Sequence, residues 1–190
     1  VEVVAINGSV DIEAIDGDTA TVQLERTASS RAELDCNRIV LKQTADNLII
    51  LSENTGACGT IQVRHRLLLS LPRYVDLSVH GVSGPINIGE MAGALRISGN
   101  SGTTTIKLRE TYAGGLELSG NSGLLRLDVG DALNLNVRVT GLSGTVSSEL
   151  PNVQFTKIGA ADYYARIGSG GPTISVSGNS GSVLLGRYRE

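Results

Sequence analysis

Five copies of Gly-x-Ser-Gly punctuate the last two-thirds of this chain, and their recurrence limits the fold more than any other feature. They are Gly81-Val82-Ser83-Gly84, Gly99-Asn100-Ser101-Gly102, Gly120-Asn121-Ser122-Gly123, Gly141-Leu142-Ser143-Gly144 and Gly178-Asn179-Ser180-Gly181. The first glycines stand 18, 21, 21 and 37 residues apart. The last interval is close to two units, which predicts an eroded copy within Phe155–Ala165. Glycine reaches positive φ without steric cost and Asn tolerates the left-handed region. Ser bonds local backbone amides. Each copy therefore reads as a tight turn.

The flanks repeat too. Four and two residues before each first glycine stand Leu77 and Val79, Leu95 and Ile97, Leu116 and Leu118, Val137 and Val139, and Ile174 and Val176. Two and four residues after each second glycine stand Ile86 and Ile88, Thr104 and Ile106, Leu125 and Leu127, Val146 and Ser148, and Val183 and Leu185. Alternation at period two marks strands with one buried face. A unit of about twenty residues cannot close its own core, so copies must stack. The expected fold is all-β: a single-stranded β-solenoid, a β-helix-like stack of strand–turn–strand coils, with an irregular β section at its N-terminal end. One domain spans 1–190, with 1–72 irregular and 73–190 regular.

Within 1–72, Gly8-Ser9-Val10-Asp11-Ile12 after Val4 and Ile6 weakly echoes the repeat. Strands are predicted at Thr21–Thr27 and at Ile61–Leu71, ending at Pro72. Ile39–Thr44 and Leu48–Ser52 form a hairpin about Ala45-Asp46-Asn47. No stretch carries a helical period. Cys36 and Cys58 flank that hairpin, whose geometry returns its ends to neighbouring positions. A structural disulfide, two free thiols and a metal site are the alternatives, in that order. A bridge would close a loop worth on the order of 3 kcal/mol and would imply an oxidising compartment.

The 24 glycines follow no three-residue period, and the core material is Val, Ile, Leu and Ala, with no Trp and one Phe. A net charge of −3 with interspersed signs gives no footprint for nucleic acid. No apolar run is long enough to span a bilayer.

Serial Ser-Gly turns between short aliphatic strands, the Leu71-Pro72 step, and Gly168-Ser169-Gly170-Gly171-Pro172 before Ile174-Ser175-Val176 resemble bacterial domain-of-unknown-function family 4097, the "putative adhesin" family. The resemblance runs from about Val3 to Leu185. It implies a β-solenoid that is exported or displayed at the cell envelope, and it supplies no catalytic residues.

Candidate chemistry is sparse. A nucleophile elbow needs Gly-x-Ser-x-Gly before a helix and one Ser backed by His and acid. Five equal serines followed by strands are structural turns instead. Asp16-Gly17-Asp18 reads as a turn rather than a calcium site, and His65 and His80 are solitary. No cofactor is expected. Arg96, Glu117 and Arg138 occupy one outward slot, three residues before their glycines. His80, Ser98, Ser119, Thr140 and Ser177 occupy another. With the pair Tyr163-Tyr164, the first slot is the expected interaction surface. The expected function is a non-enzymatic, adhesin-like scaffold, secreted, periplasmic or envelope-bound, meeting a protein or glycan at the cell surface. A carbohydrate-binding or polysaccharide-cleaving protein and a self-assembling structural protein are the alternatives.

Overall fold

A computed structural model describes residues 1–54, 63–109 and 112–188. In chain order the first part holds β1 (Glu2–Val4), β2 (Gly8–Ile15), β3 (Thr21–Thr27), α1 (Arg31–Cys36), β4 (Asn37–Gln43), β5 (Leu48–Asn54) and β6 (Arg64–Pro72). Next come β7 (Leu77–His80), β8 (Ile86–Ile88), β9 (Leu95–Ser98), β10 (Thr104–Leu108), β11 (Leu116–Ser119) and β12 (Ser122–Val129). The last are β13 (Leu135–Thr140), β14 (Val146–Ser148), β15 (Val153–Lys157), β16 (Tyr163–Ile167), β17 (Thr173–Ser177) and β18 (Ser180–Arg187).

The strands form two mixed sheets. The first runs β15-β16-β13-β17-β11-β9-β7-β1-β5-β4 and the second β14-β18-β12-β10-β8-β2-β6-β3. Each Gly-x-Ser-Gly corner carries the chain from the first sheet to the second. Copies pair in parallel, as in Glu117↔Arg96 and Ile106↔Leu127. All ten aliphatics before the corners are buried, as are Ile86, Ile88, Ile106, Leu125, Leu127, Val183 and Leu185 after them. They fill one core between the sheets.

This arrangement corrects the single-stranded solenoid stack. The flanks of a corner lie in different sheets, and the copies do not follow chain order. β17 and β18, the last copy, insert between β11 and β13 and between β12 and β14. At the other end β1 and β2 insert between β5 and β7 and between β6 and β8. Antiparallel pairs finish both ends: β4 with β5, β3 with β6, and β16 with β13 and β15. A coil that advances one step per repeat cannot produce that order. The expected eroded copy within Phe155–Ala165 is likewise the hairpin β15–β16, which fills the long interval without repeating the corner.

The corner itself is stacked three ways. Every first glycine is left-handed, with φ from +60° to +69°. Ala5 takes that slot in the N-terminal echo with φ +54°, and it is the sole non-glycine residue at positive φ among those described. Every x residue points inward: Ile6, Val82, Asn100, Asn121, Asn179 and Leu142 are all at most 6% exposed. The asparagines are thus not the left-handed residues of the turn. They form a ladder in which the Asn100 Oδ1 accepts from the Val82 amide at 2.8 Å, the Asn121 Oδ1 from the Asn100 amide at 3.1 Å, and the Asn179 Oδ1 from the Asn121 amide at 2.8 Å. Each second glycine lies against a neighbouring backbone: a Cβ on Gly84, Gly123, Gly181 or Gly144 would fall on the carbonyl oxygen of Gly8, Gly102, Gly123 or Gly181.

Strand β3 has the expected bounds, and β6 ends at Pro72, although 61–62 lie outside the described residues. α1 was not foreshadowed by any period. It is six residues long, and the Ser30 Oγ accepts from the Glu33 amide at 3.3 Å while Glu33 accepts from the Ser29 amide at 3.1 Å, a capping arrangement that suits a helix too short to sustain itself.

His65 extends the inward row of β6 and is 2% exposed. Its Nδ1 is 3.3 Å from the Asn7 carbonyl, which can only accept, so Nδ1 carries the proton. The buried Nε2 has no partner. Burial holds the imidazole below its ordinary range, assisted by Arg26 and opposed by the Asn7 bond. The folded protein therefore binds fewer protons than the unfolded chain below about pH 6.5, and stability, complete above that value, falls as the pH drops. Urea midpoints measured across pH 5–8 should show this slope, and His65→Gln should flatten it. An unchanged slope in the variant would assign the acid sensitivity elsewhere.

Candidate interaction surfaces

Parallel register turns a sequence slot into a row. On the outer face of the first sheet Glu2, Ser78, Arg96, Glu117, Ser175, Arg138, Tyr164 and Thr156 lie side by side across eight strands. Arg96, Glu117 and Arg138 are exposed, and Tyr164 is half-buried. Arg96 Nε stands 3.4 Å from Glu117 Oε2, with both side chains about two-thirds exposed; such a pair stabilises little and leaves both groups accessible. Tyr163 does not join them. It pairs with Val139 and packs against the core, so the two tyrosines face opposite sides of β16. The second outward slot forms its own row, His80–Ser98–Ser119–Ser177–Thr140, with His80 Nε2 3.6 Å from Glu2.

The second sheet presents a concavity of about 510 Å³ on its outer face, lined by Asp11, Glu13, Gln23, Ser70, Asn87 and Lys107 with Leu68 as an apolar patch. Asn87, the middle residue of the three-residue β8, and Gly89, which follows that strand, both line it. Asn87 Nδ2 donates to Asp11 Oδ1 at 2.7 Å. Asp11 and Glu13 are two residues apart on β2 and so share a face. Nothing in the one-dimensional pattern signals this site, since its residues come from separate strands.

A third cluster lies where strands of the second sheet end. Glu90 receives Arg109 Nε at 2.5 Å, Arg73 at 3.5 Å and the Tyr188 hydroxyl. Burial by itself pushes the Glu90 carboxyl up; the Tyr188 hydroxyl and the two guanidiniums outweigh that and hold it below the usual carboxylate range. Arg73 also binds Asp16 at 2.9 Å, which places the Asp16-Gly17-Asp18 turn in an ion-pair network. Through the Tyr188 hydroxyl on Glu90 this cluster fastens the residue that follows β18 to the sheet.

Among the described residues no three His, Cys, Asp or Glu side chains converge as a metal site, and no helix is long and apolar enough to cross a membrane. No free cysteine stands among them; Cys36 ends α1, and Cys58 lies outside the described residues. The ten corner residues Gly81, Gly84, Gly99, Gly102, Gly120, Gly123, Gly141, Gly144, Gly178 and Gly181 carry the stacking described above, with Ser83, Ser101, Ser143 and Ser180 exposed and Ser122 half-buried beside them.

No protein-family model matches the chain, and no curated protein matches it. Domain family 4097 therefore has no model match behind the resemblance. Among solved structures, a putative cell adhesion protein from Clostridium sporogenes ATCC 15579 shares the fold, with a TM-score of 0.64 at 13% identity over 98% of this chain and 91% of that one. At that identity the likeness is one of architecture.

Proposed function

We propose that this protein is a non-enzymatic, adhesin-like scaffold of the cell envelope or exterior, and that the outer face of its first sheet is the working surface. The observation that carries this reading is the register-aligned row Arg96–Glu117–Arg138–Tyr164. The strand register holds cationic, anionic and aromatic groups in one row on an outer face, without enclosing a reaction volume. Arg and Tyr are the side chains that most often dominate binding energy at interfaces. The fold shared with a putative cell adhesion protein is compatible with such a role. The partner is a protein or glycan at the cell surface.

The test couples folding to adhesion. Arg138→Ala and Tyr164→Ala should keep urea stability within about 0.5 kcal/mol of the parent. Beads coated with either variant should lose about tenfold in retention on immobilised glycans or envelope fractions. Parent-level retention in both would remove this face from consideration.

Export is supported by the pairing proposed for Cys36 and Cys58. Mass spectrometry after alkylation, with and without reductant, should find both thiols blocked until reduction. Two alkylatable thiols in protein purified under oxidising conditions would remove this argument.

The concavity on the second sheet favours one further reading, a carbohydrate-binding site. Asp11, Asn87, Gln23 and Lys107 supply mixed donors and acceptors, and Leu68 offers an apolar patch to sugar C–H groups. Asp11→Ala with Asn87→Ala should abolish glycan binding under that reading while leaving binding through the first sheet intact.

A further inference from the structure

The four sheet edges are not equally protected. β4 carries Arg38 and Lys42, β3 carries Glu25 and Arg26, and β14 is three residues long; charge and shortness both discourage edge pairing. β15 reads Val153-Gln154-Phe155-Thr156-Lys157, with its one charge at the last position and Phe155 42% exposed. It also belongs to the part of the first sheet that runs two strands past β13, whereas the second sheet stops at β14.

Its backbone is set for pairing. The Ile158 amide donates to the Asp162 carbonyl at 3.0 Å and the Gly168 amide to the Asn152 carbonyl at 3.2 Å. In an antiparallel ladder hydrogen-bonded residues alternate, so the even-numbered residues of β15 bond to β16. The N–H and C=O groups of Val153, Phe155 and Lys157 point to the open edge.

We infer that β15 pairs antiparallel with β15 of a second copy of this chain, about a two-fold axis at Phe155. The strand is self-complementary in that register. Phe155 exchanges both backbone bonds with the partner's Phe155, and their rings meet on one face. Val153 lies opposite the partner's Lys157, so no like charges oppose each other. On the outer face Gln154 lies opposite the partner's Thr156. Pairing β15 to β4 of another copy would be head-to-tail and would bring Lys157 to the strand that carries Arg38 and Lys42. The isologous pair closes as a dimer and joins the two first sheets into one continuous outer face. This inference stands independently of which ligand that face meets.

Sedimentation across a concentration series tests the association, and cross-linking tests the register. The parent chain should sediment as a dimer at high concentration, and Phe155→Lys should weaken association at least about tenfold by placing like charges on the axis. Hydrogen-bonded antiparallel neighbours have Cα atoms about 5.5 Å apart, within the disulfide range of roughly 4.4–6.8 Å. Under mild oxidation Phe155→Cys should therefore give a dimer linked at position 155, identified by peptide mass spectrometry. Thr156→Cys should not, because it faces the partner's Gln154. A parent chain that stays monomeric throughout overturns the inference, as does equal or preferential cross-linking of Thr156→Cys.

Discussion

Gly123→Ala should destabilise the protein by about 4 kcal/mol or more, whereas Gly120→Ala, three residues away in the same corner, should lose only about 1 kcal/mol. Both glycines have positive φ, +61° at Gly120 and +103° at Gly123, so backbone strain alone would not separate them so widely. Space does. A Cβ at Gly120 would meet nothing closer than the Gly99 nitrogen at 4.0 Å. A Cβ at Gly123 would fall on the Gly102 carbonyl oxygen. That carbonyl cannot swing aside, because the chain is held on both sides of it: the Gly102 amide donates to the Ser122 carbonyl at 3.0 Å, and all of β10 pairs with Leu125–Val129 of β12. The strands would have to part. The chain itself shows the asymmetry: the first slot accepts a methyl at Ala5, and every second slot, from Gly8 through Gly144, is glycine. Urea unfolding of the two variants, read at a common slope, measures the difference. Equal losses would mean that the corners are not in backbone contact.

The inward rows were legible because period two survives any arrangement of the copies. Leu95 and Ile97 are buried whichever copy lies beside them. The order of the copies was not legible from the same signal, since each copy presents an equivalent aliphatic pattern and any two can pair. The variable x residue sorts them. Asn100, Asn121 and Asn179 are neighbours in space, with Val82 on one side and Leu142 on the other, because an asparagine gains a ladder bond only beside another corner amide. Reading the slot in that way places the fifth copy before the fourth and predicts the insertion of β17. The row Arg96–Glu117–Arg138 was legible from its constant offset to the glycines. Tyr164 joins it only through the antiparallel register of β16, which no repeat encodes, and the same register turns Tyr163 inward. The concavity of the second sheet was illegible for a related reason: Asp11, Gln23, Asn87 and Lys107 meet only after β2 is inserted between β6 and β8.

The same ladder predicts that one polar residue in the core matters more than an aliphatic of equal size. Asn121→Leu should lose about 3 kcal/mol even though leucine buries more favourably than an amide. The Asn121 Oδ1 accepts from both the Asn100 amide at 3.1 Å and the Asn100 Nδ2 at 3.2 Å, in a corner where both residues are at most 6% exposed. Removing the acceptor leaves two donors away from water, each costing about 1–3 kcal/mol. Burying the leucine side chain offsets only part of that, at about 0.8 kcal/mol per methylene-sized group. Asn179→Leu is the control, because the same substitution there removes fewer bonds from the ladder. The Asn179 Oδ1 accepts only from the Asn121 amide, and the Nδ2 of the same side chain is buried without a partner. The leucine would orphan one donor and remove another unsatisfied one while packing beside Leu142, so the net loss should be about 1 kcal/mol or less. Chemical denaturation of both variants decides the matter. A larger loss at Asn179 than at Asn121 would mean that packing volume, and not the succession of side-chain acceptors, holds the corners in line.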